Sequence, residues 1–265
     1  MKSLRLLALF PFVAATALAQ VTQAEYAARR AALSRELPGD GLVVVMGASE
    51  PKHDYDPFTQ DRTFLYLTGF LEPDAGLVIV HKGGRDRTML FVQPKDPAQE
   101  VWTGARLGAT GVRDRLDLEG RDATTLHKVI DSLKSANGGL KVLDATAVVE
   151  RLRGTKSSAE LELLSMAAKI SATAHREVLH AIAPGIAEFE VQAFAEYTFR
   201  RNGADGPAYG SIVGSGPNST TLHYNANDRF MQSGEVVNMD MAASYGGYAA
   251  DLTRTVPVNG RYSPE

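Results

Sequence analysis

Short apolar runs alternate with helical patterns between residues 20 and 150. Continuous apolar runs bounded by Gly, Pro or Asp are typical of strands that are covered on both faces. Apolar residues that recur at helical spacing instead predict helices at 23–37 and 123–135. The continuous runs predict strands at residues 42–46, 64–68, 76–80, 89–92 and 141–143. We therefore expect a mixed α/β domain over residues 20–150.

The pattern changes at Arg151, where long helices replace the short strands. Ser157 and Glu160 have the spacing of a capping box, which starts a helix by pairing its free amide groups. Apolar positions then recur at helical spacing until Pro184 ends the run, and a second helix precedes glycine-rich loops and strands. These features predict a second domain over residues 151–265.

The first residues have the pattern of an export signal. Lys2 and Arg5 precede an apolar run that ends in Ala17-Leu18-Ala19. This arrangement is typical of a cleaved signal peptide, and the run is short for a membrane span. We therefore predict a signal peptide over residues 1–19 and an exported mature protein, periplasmic or secreted, with no membrane segment.

The last residues, Ser263-Pro264-Glu265, have the pattern of a helix start. Serine is a good N-cap, proline suits the first helical position and an acidic side chain suits the first turn. The helix that they announce would lie beyond residue 265. We therefore expect this chain to be the front part of a longer protein.

The amino-acid composition argues against several classes of protein. The 265 residues include 28 Lys and Arg, 31 Asp and Glu, and no Cys. A chain without Cys is neither a disulfide scaffold nor a thiol enzyme. The slightly acidic balance argues against nonspecific binding of a phosphate backbone, so we expect no nucleic acid partner.

The segment around Tyr245-Gly246-Gly247 predicts a β-hairpin that carries Asp240 and Asp251. If Tyr245 and Gly246 form the loop, the two aspartates lie directly opposite each other. If Gly246 and Gly247 form it, they lie diagonally on the same face. Like charges at this separation destabilise a hairpin, which suggests a compensating cation or a shared proton. Oxygen ligands without thiols suit Mn²⁺ or Mg²⁺ better than a structural Zn²⁺.

Other interpretations of these residues stay open. The two aspartates also fit a solvated hairpin with Arg254 or Arg229 nearby as a partner. A three-residue loop with a bulge would break the alternation of faces. His175 and His180 are five residues apart, roughly 140° around a helix, and so do not form a metal-binding helical pair. We expect both histidines on a helix surface or at an interface.

Several stretches closely resemble Xaa-Pro aminopeptidases, the aminopeptidase P group of the pita-bread metallopeptidases. They are residues 212–224 (IVGSGPNSTTLHY), Asp240, and residues 251–258 (DLTRTVPV). Residues 61–70 (DRTFLYLTGF) look like the amino-terminal domain that this family shares with creatinase and prolidase. The resemblance implies an α/β N-terminal domain followed by the first half of an α+β pita-bread catalytic domain.

The resemblance also implies an activity, that of a metal-dependent exopeptidase that releases the N-terminal residue from Xaa-Pro peptides. It implies two divalent ions, with manganese favoured, of which Asp240 binds one and Asp251 bridges both. His223 is then the catalytic residue that holds or protonates the scissile peptide, while a hydroxide between the ions attacks the carbonyl. The implied partner is a proline-containing peptide, and a homo-oligomer is compatible with this assignment.

The sequence departs from the family pattern in two places. Asp240 is followed by Met241-Ala242, where members often have Ala-Gly, and the chain ends before the His and two Glu that complete the family's five-ligand site. We therefore expect this chain alone to be incomplete and inactive. Two alternatives stay open: prolidase, which cuts Xaa-Pro dipeptides, and a noncatalytic binding module with the same fold.

Overall fold

The computed structural model describes residues 21–53, 56–136 and 139–262. The predicted signal peptide at 1–19 and the predicted helix start at 263–265 lie outside the described residues. The chain divides into two compact units, one formed by Val21–Ser157 and one that takes in Ser158–Glu265. The placement of the domain boundary between residues 150 and 151 stays a prediction.

A four-stranded sheet forms the centre of the first unit. β1 (Gly41–Met46), β2 (Gly76–Lys82) and β3 (Arg85–Val92) are antiparallel neighbours in that order. β4 (Glu119–Asp122) adds to the edge of β3 in parallel. The strands predicted at 42–46, 76–80 and 89–92 are therefore confirmed.

Helices cover both faces of this sheet, which is why β1, most of β2 and the second half of β3 are continuous apolar runs. Alternate residues of β1 to β3 enter two separate clusters, one with Val43, Ile79 and Leu90, the other with Leu42, Val78 and Phe91. The helices are α1 (Gln23–Arg35), α2 (Arg62–Thr68), α3 (Pro97–Thr103), α4 (Gly108–Leu116), α5 (Leu126–Ala136), preceded by a 3₁₀ turn (Ala123–Thr125), and α6 (Thr146–Gly154).

The strand predicted at residues 64–68 is wrong, because this segment is the helix α2. The Asp61 carboxylate accepts a hydrogen bond from the Phe64 N–H (2.8 Å) and caps the start of the helix. Gly69 ends the helix with φ 66°, the left-handed conformation that glycine adopts readily. The helix is largely buried, so its apolar run has no polar face to show a helical period.

The strand predicted at residues 141–143 is also wrong. Only an isolated bridge forms there, between Leu42 and Val142. The Leu42 N–H donates to the Lys141 carbonyl (2.9 Å), and the Leu143 N–H donates to the Leu42 carbonyl (2.8 Å). The segment therefore touches the edge of β1 without extending the sheet.

The second unit begins with two long helices, α7 (Ser158–Val178) and α8 (Glu188–Arg201). Residues at helical spacing on α7 are buried, namely Leu163, Ala167, Ile170, Ala174 and Val178. The strands that follow are β5 (Gly206–Pro207), β6 (Ile212–Ser215), β7 (Val236–Asp240), β8 (Ala243–Tyr245), β9 (Tyr248–Ala249) and β10 (Thr253–Pro257). They form two small sheets, with strand orders β10-β7-β6 and β5-β8-β9.

None of the helices among the described residues combines the length and the apolar character that crossing a bilayer requires.

The packing of α4 on β4 depends on a glycine. A Cβ atom added at Gly120 would lie 2.0 Å from the carbonyl oxygen of Ala109 in the first turn of α4. Because the obstacle is backbone, no side-chain rotation can relieve it. We expect Gly120→Ala to lower the free energy of unfolding by about 1–3 kcal/mol, as measured by urea denaturation followed by circular dichroism.

Gly154→Ala in the same unit is the matched control. No atom lies within 4 Å of a Cβ added there, and Gly154 is the last residue of α6. Alanine favours the helix over glycine by up to about 1 kcal/mol, so this variant should be as stable as the parent or slightly more stable. Equal stability of the two variants would show that α4 does not rest closely on β4.

Candidate metal-binding site

The hairpin that carries the two aspartates has a two-residue loop. Tyr245 pairs with Tyr248, which leaves Gly246 (φ 58°) and Gly247 (φ 80°) as the loop. Both glycines have positive φ, as the favoured twist of two-residue hairpin loops requires. The structure therefore has the second of the two predicted registers.

This register continues into the next sheet and sets the positions of the aspartates. Asp240, the last residue of β7, pairs with Thr253, the first residue of β10. Asp251 lies two residues before Thr253 and so projects to the same face as Asp240, on the diagonal. Asp240 is half-buried and Asp251 is exposed.

Tyr209, which lies between β5 and β6, connects the two aspartates. Its hydroxyl donates a hydrogen bond to Asp240 Oδ1 and lies 3.3 Å from Asp251 Oδ1. One hydroxyl has a single proton, so it can donate to only one of these carboxylates at a time. Burial, together with the hydrogen bond to Asp240, raises the pKa of Tyr209 well above its usual range. The tyrosine is therefore a neutral donor at physiological pH.

The arginines of the alternative interpretation bind elsewhere. The Arg229 guanidinium forms a two-pronged ion pair with Glu235, with both N–O distances at 2.6 Å. The Arg254 guanidinium donates to the carbonyl of Thr253 (2.7 Å). Among the described residues, neither arginine therefore forms an ion pair with Asp240 or Asp251.

The donor set fits part of a divalent cation site. Asp240 and Asp251 supply hard oxygen atoms from two short side chains near one point, as Mn²⁺ and Mg²⁺ prefer. Within residues 21–53, 56–136 and 139–262, no group of three or more His, Asp or Glu side chains is placed to hold a metal ion. A complete site needs ligands beyond those that the described residues bring together.

His223 lies apart from this contact. It is exposed, in the turn that follows the 3₁₀ helix Gly216–Thr220. In the described part of the chain, no hydrogen bond or ion pair connects its side chain to Asp240 or Asp251. The structure thus brings the two aspartates together but shows no direct contact of His223 with them.

The helix α7 holds the backbone that follows Asp240. His175 Nε2 lies 2.9 Å from the Met241 carbonyl, and the Ala243 N–H donates to Ser171 Oγ (2.9 Å). Ser171 and His175 are four residues apart and share one face of the helix. Both side chains are buried, so of the two expected positions of His175, a helix surface or an interface, the helix surface is wrong. His180 is exposed, as expected.

The environment of His175 favours the neutral imidazole. Burial lowers the pKa of His175 below its usual range. A neutral ring that donates through Nε2 leaves Nδ1 as an acceptor, and Nδ1 is buried without a hydrogen-bond partner among the described residues. His175 and Ser171 together fix the segment Met241-Ala242, where the sequence departs from the family pattern.

Sequence reasoning missed Tyr209, Ser171 and the role of His175. Tyr209 is 31 residues from Asp240 along the chain, and only the pairing of Ile212 with Asp240 brings β6 and its preceding loop beside β7. The sequence pattern contains no signal for that pairing. For His175 a signal existed, since it lies at helical spacing from the buried positions of α7.

Known families match both units. Residues 26–142 match the N-terminal domain of aminopeptidase P, and residues 162–265 match metallopeptidase family M24. Xaa-Pro aminopeptidase of Haemophilus influenzae is 30% identical over 93% of this chain, which spans 63% of that relative. The chain therefore spans less than two thirds of the length of the relatives it matches.

Solved structures are also similar. Escherichia coli aminopeptidase P with the inhibitor Pro-Leu matches 92% of this chain with a TM-score of 0.84 and 28% identity, and the match covers 64% of that chain. The zinc-substituted form of that enzyme, in complex with product, matches with a TM-score of 0.85 and 29% identity over the same shares of the two chains. The predicted fold, an α/β N-terminal domain followed by part of a pita-bread catalytic domain, is confirmed. Both units of the chain thus resemble the aminopeptidase P group of the M24 metallopeptidases.

Proposed function

We propose that the whole protein is a metal-dependent exopeptidase that releases the N-terminal residue from Xaa-Pro peptides. The observation that carries the proposal is the approach of Asp240 and Asp251 to one hydroxyl, within the segment that matches family M24. The matched relatives named Xaa-Pro aminopeptidase support the substrate class. A proline-containing peptide is also compatible with the Pro-Leu inhibitor bound to the Escherichia coli enzyme.

The cofactor in this proposal is a pair of divalent ions, with manganese favoured. Asp240 would bind one ion and Asp251 would bridge both, and the remaining ligands would come from outside the described residues. Such ions supply a bound water of lowered pKa and polarise a carbonyl. The zinc-substituted Escherichia coli enzyme supports a divalent metal of some kind, and the preference for manganese rests on the oxygen ligands.

The residues of this chain have separate roles in the proposal. Tyr209 holds the Asp240 carboxylate and keeps its own proton, so it orients a ligand without competing as an anion. His223 holds or protonates the scissile peptide. A prolyl amide has no N–H, so the proline ring must be recognised by shape and apolar contact.

We further propose that the protein is exported. Export to the periplasm or the medium rests on the sequence of residues 1–19, and self-association into a homo-oligomer is compatible with the proposal.

One observation favours a noncatalytic binding module as the second candidate: the described residues supply two carboxylates and no third ligand beside them. We propose that the 265-residue chain alone is incomplete and inactive.

The first prediction from the proposed function concerns metal binding. We expect the 265-residue chain to bind Mn²⁺ weakly, and Asp240→Asn or Asp251→Asn to reduce its affinity at least about tenfold, because each change removes one of two charged ligands. Isothermal titration and the electron paramagnetic resonance of free Mn²⁺ measure the affinity.

Asp114→Asn is the matched control for metal binding. Asp114 is an exposed acid of the first unit beside Arg113, with an N–O distance of 3.5 Å, and its loss should leave Mn²⁺ binding unchanged. If the Asp114 variant loses as much affinity as the other two, the ion is bound nonspecifically, and the proposed site is wrong.

The second prediction concerns Tyr209. In metal-free buffer we expect Tyr209→Phe to lower the free energy of unfolding by about 1–2 kcal/mol, because the two like charges lose their shared donor. Added Mn²⁺ should reduce the gap in free energy of unfolding between the parent chain and Tyr209→Phe, because the cation can neutralise both carboxylates in place of the hydroxyl. A cation that binds only the folded state stabilises that state by mass action. Thermal unfolding with and without Mn²⁺ measures both effects.

Tyr197→Phe provides the comparison for Tyr209. Tyr197 is an exposed residue of α8, and its ring lies against Arg201, with 6.0 Å between the guanidinium carbon and the ring centroid. Adding Mn²⁺ should change the stability of Tyr197→Phe by the same amount as it changes the stability of the parent chain. A stability loss in Tyr209→Phe that Mn²⁺ leaves unchanged would mean that the hydroxyl does not act on a cation site.

The third prediction concerns the reaction. We expect the product of the complete reading frame to release the N-terminal residue from Xaa-Pro-Xaa tripeptides in the presence of Mn²⁺, and to leave matched Xaa-Ala-Xaa peptides intact. Mass spectrometry of the peptide products measures the cleavage. Cleavage of Xaa-Pro dipeptides alone would instead identify a prolidase, and cleavage of none of them would favour the noncatalytic module.

A further inference from the structure

A fully buried carboxylate lies at the first residue of α8, and the proposed chemistry does not use it. Glu188 Oε1 accepts hydrogen bonds from the Ser215 N–H (2.6 Å), Ser215 Oγ (2.7 Å) and Asn218 Nδ2 (3.4 Å). Its Oε2 accepts from the Tyr224 hydroxyl (2.8 Å) and the Arg229 N–H (3.1 Å). Glu188 is 0% exposed, so these donors take the place of water.

All five donors come from one segment, residues 215–229. Ser215 is the last residue of β6, and Arg229 lies at the far end of the segment. The Glu188 N–H also donates to the Arg229 carbonyl (3.0 Å). One side chain and its own amide thus hold both ends of the loop that carries His223, and Tyr224 is the residue next to His223.

The buried Asn227 also holds this loop, by hydrogen bonds to residues outside it. Its Nδ2 donates to the Ser211 carbonyl and to Gln192 Oε1, both at 2.8 Å, and its Oδ1 accepts from the Val213 N–H (3.0 Å). Its backbone has φ 46°, a left-handed conformation that asparagine tolerates better than most residues. The loop is therefore tied to β6 and to α8 at several points.

The Tyr224 hydroxyl connects Glu188 with the middle of the loop through its hydrogen bond to Oε2. Burial, followed by the hydrogen bond to Glu188, raises the pKa of Tyr224 to about 12, so the hydroxyl stays protonated at neutral pH. It also lies 3.1 Å from Asp228 Oδ1 and accepts from Asn218 Nδ2 (2.9 Å). His223 itself is exposed and has no side-chain hydrogen bond among the described residues. Its place is therefore set by its backbone neighbours.

We infer that Glu188 is a positioning residue that holds the turn of His223 through Tyr224. This inference rests on the proposed function, because the expected role of His223 gives the positioning its purpose. Glu188 touches neither His223 nor the two aspartates in the described contacts, so it acts through the loop. A carboxylate suits this role because it only accepts, and every group that faces it is a donor.

The test compares Glu188→Gln and Tyr224→Phe with the parent 265-residue chain. In Glu188→Gln an amide NH₂ replaces one acceptor oxygen and must face a donor such as the Arg229 N–H. We expect amide hydrogen exchange at Ser215 and Arg229 to become faster by about tenfold or more. The imidazole NMR signal of His223, assigned by its absence in His223→Ala, should shift in both variants.

Glu190→Gln is the matched control, with the same chemical change two residues further along α8. Glu190 is exposed, and its Oε2 accepts from the Ala187 N–H (2.8 Å) at the helix start. This variant should leave the His223 signal and the exchange at Ser215 and Arg229 unchanged. The exposed His180 provides an internal reference signal that should not move in any variant.

An unchanged His223 signal in a folded Glu188→Gln chain would overturn the inference. If that variant does not fold, Tyr224→Phe decides, because it removes one hydroxyl and leaves the buried carboxylate with its other four donors. A His223 signal that does not respond to Tyr224→Phe would then overturn it. These measurements need no peptidase activity, so their failure is distinguishable from failure of the proposed function.

Discussion

The hairpin loop at Gly246-Gly247 fixes the geometry on which the site depends. Both residues need positive φ, and glycine adopts that conformation without the strain that a Cβ atom would impose. With this loop, Asp251 lies on the same face as Asp240. Because side chains alternate faces along a strand, a slip of one residue would turn Asp251 to the opposite side.

That geometry places two like charges close together, and other contacts of the second unit keep them there. Tyr209 can donate its one proton to only one of the two carboxylates at a time, so it relieves the repulsion only in part. The backbone cannot relax away, because Ser171 and His175 hold Met241 and Ala243 against α7. In the proposed function, a cation between the two carboxylates would relieve the remaining repulsion.

The sequence predicted local features well and long-range contacts poorly. Alternation of faces placed both aspartates on one face with either two-residue loop, and a three-residue loop with a bulge was the arrangement that would have broken this parity. Tyr209 and Glu188 could not be found in this way, because their contacts depend on which strands and helices become neighbours. The segment at 64–68 was misassigned because a buried helix has no polar face, although Asp61 and Gly69 were readable as its caps.

The strand β6 lies between the aspartate pair and the loop to which the proposed function assigns a role through His223. Ile212 at its start pairs with Asp240, and Ser215 at its end is held by Glu188. The same strand therefore lies beside the aspartates at one end and leads into the loop of His223 at the other. Packed secondary structure deforms little, so the four residues of β6 keep its two ends at a fixed separation. The distance between His223 and the aspartate pair is thus a property of β6 and its two anchors, and not of the exposed turn alone.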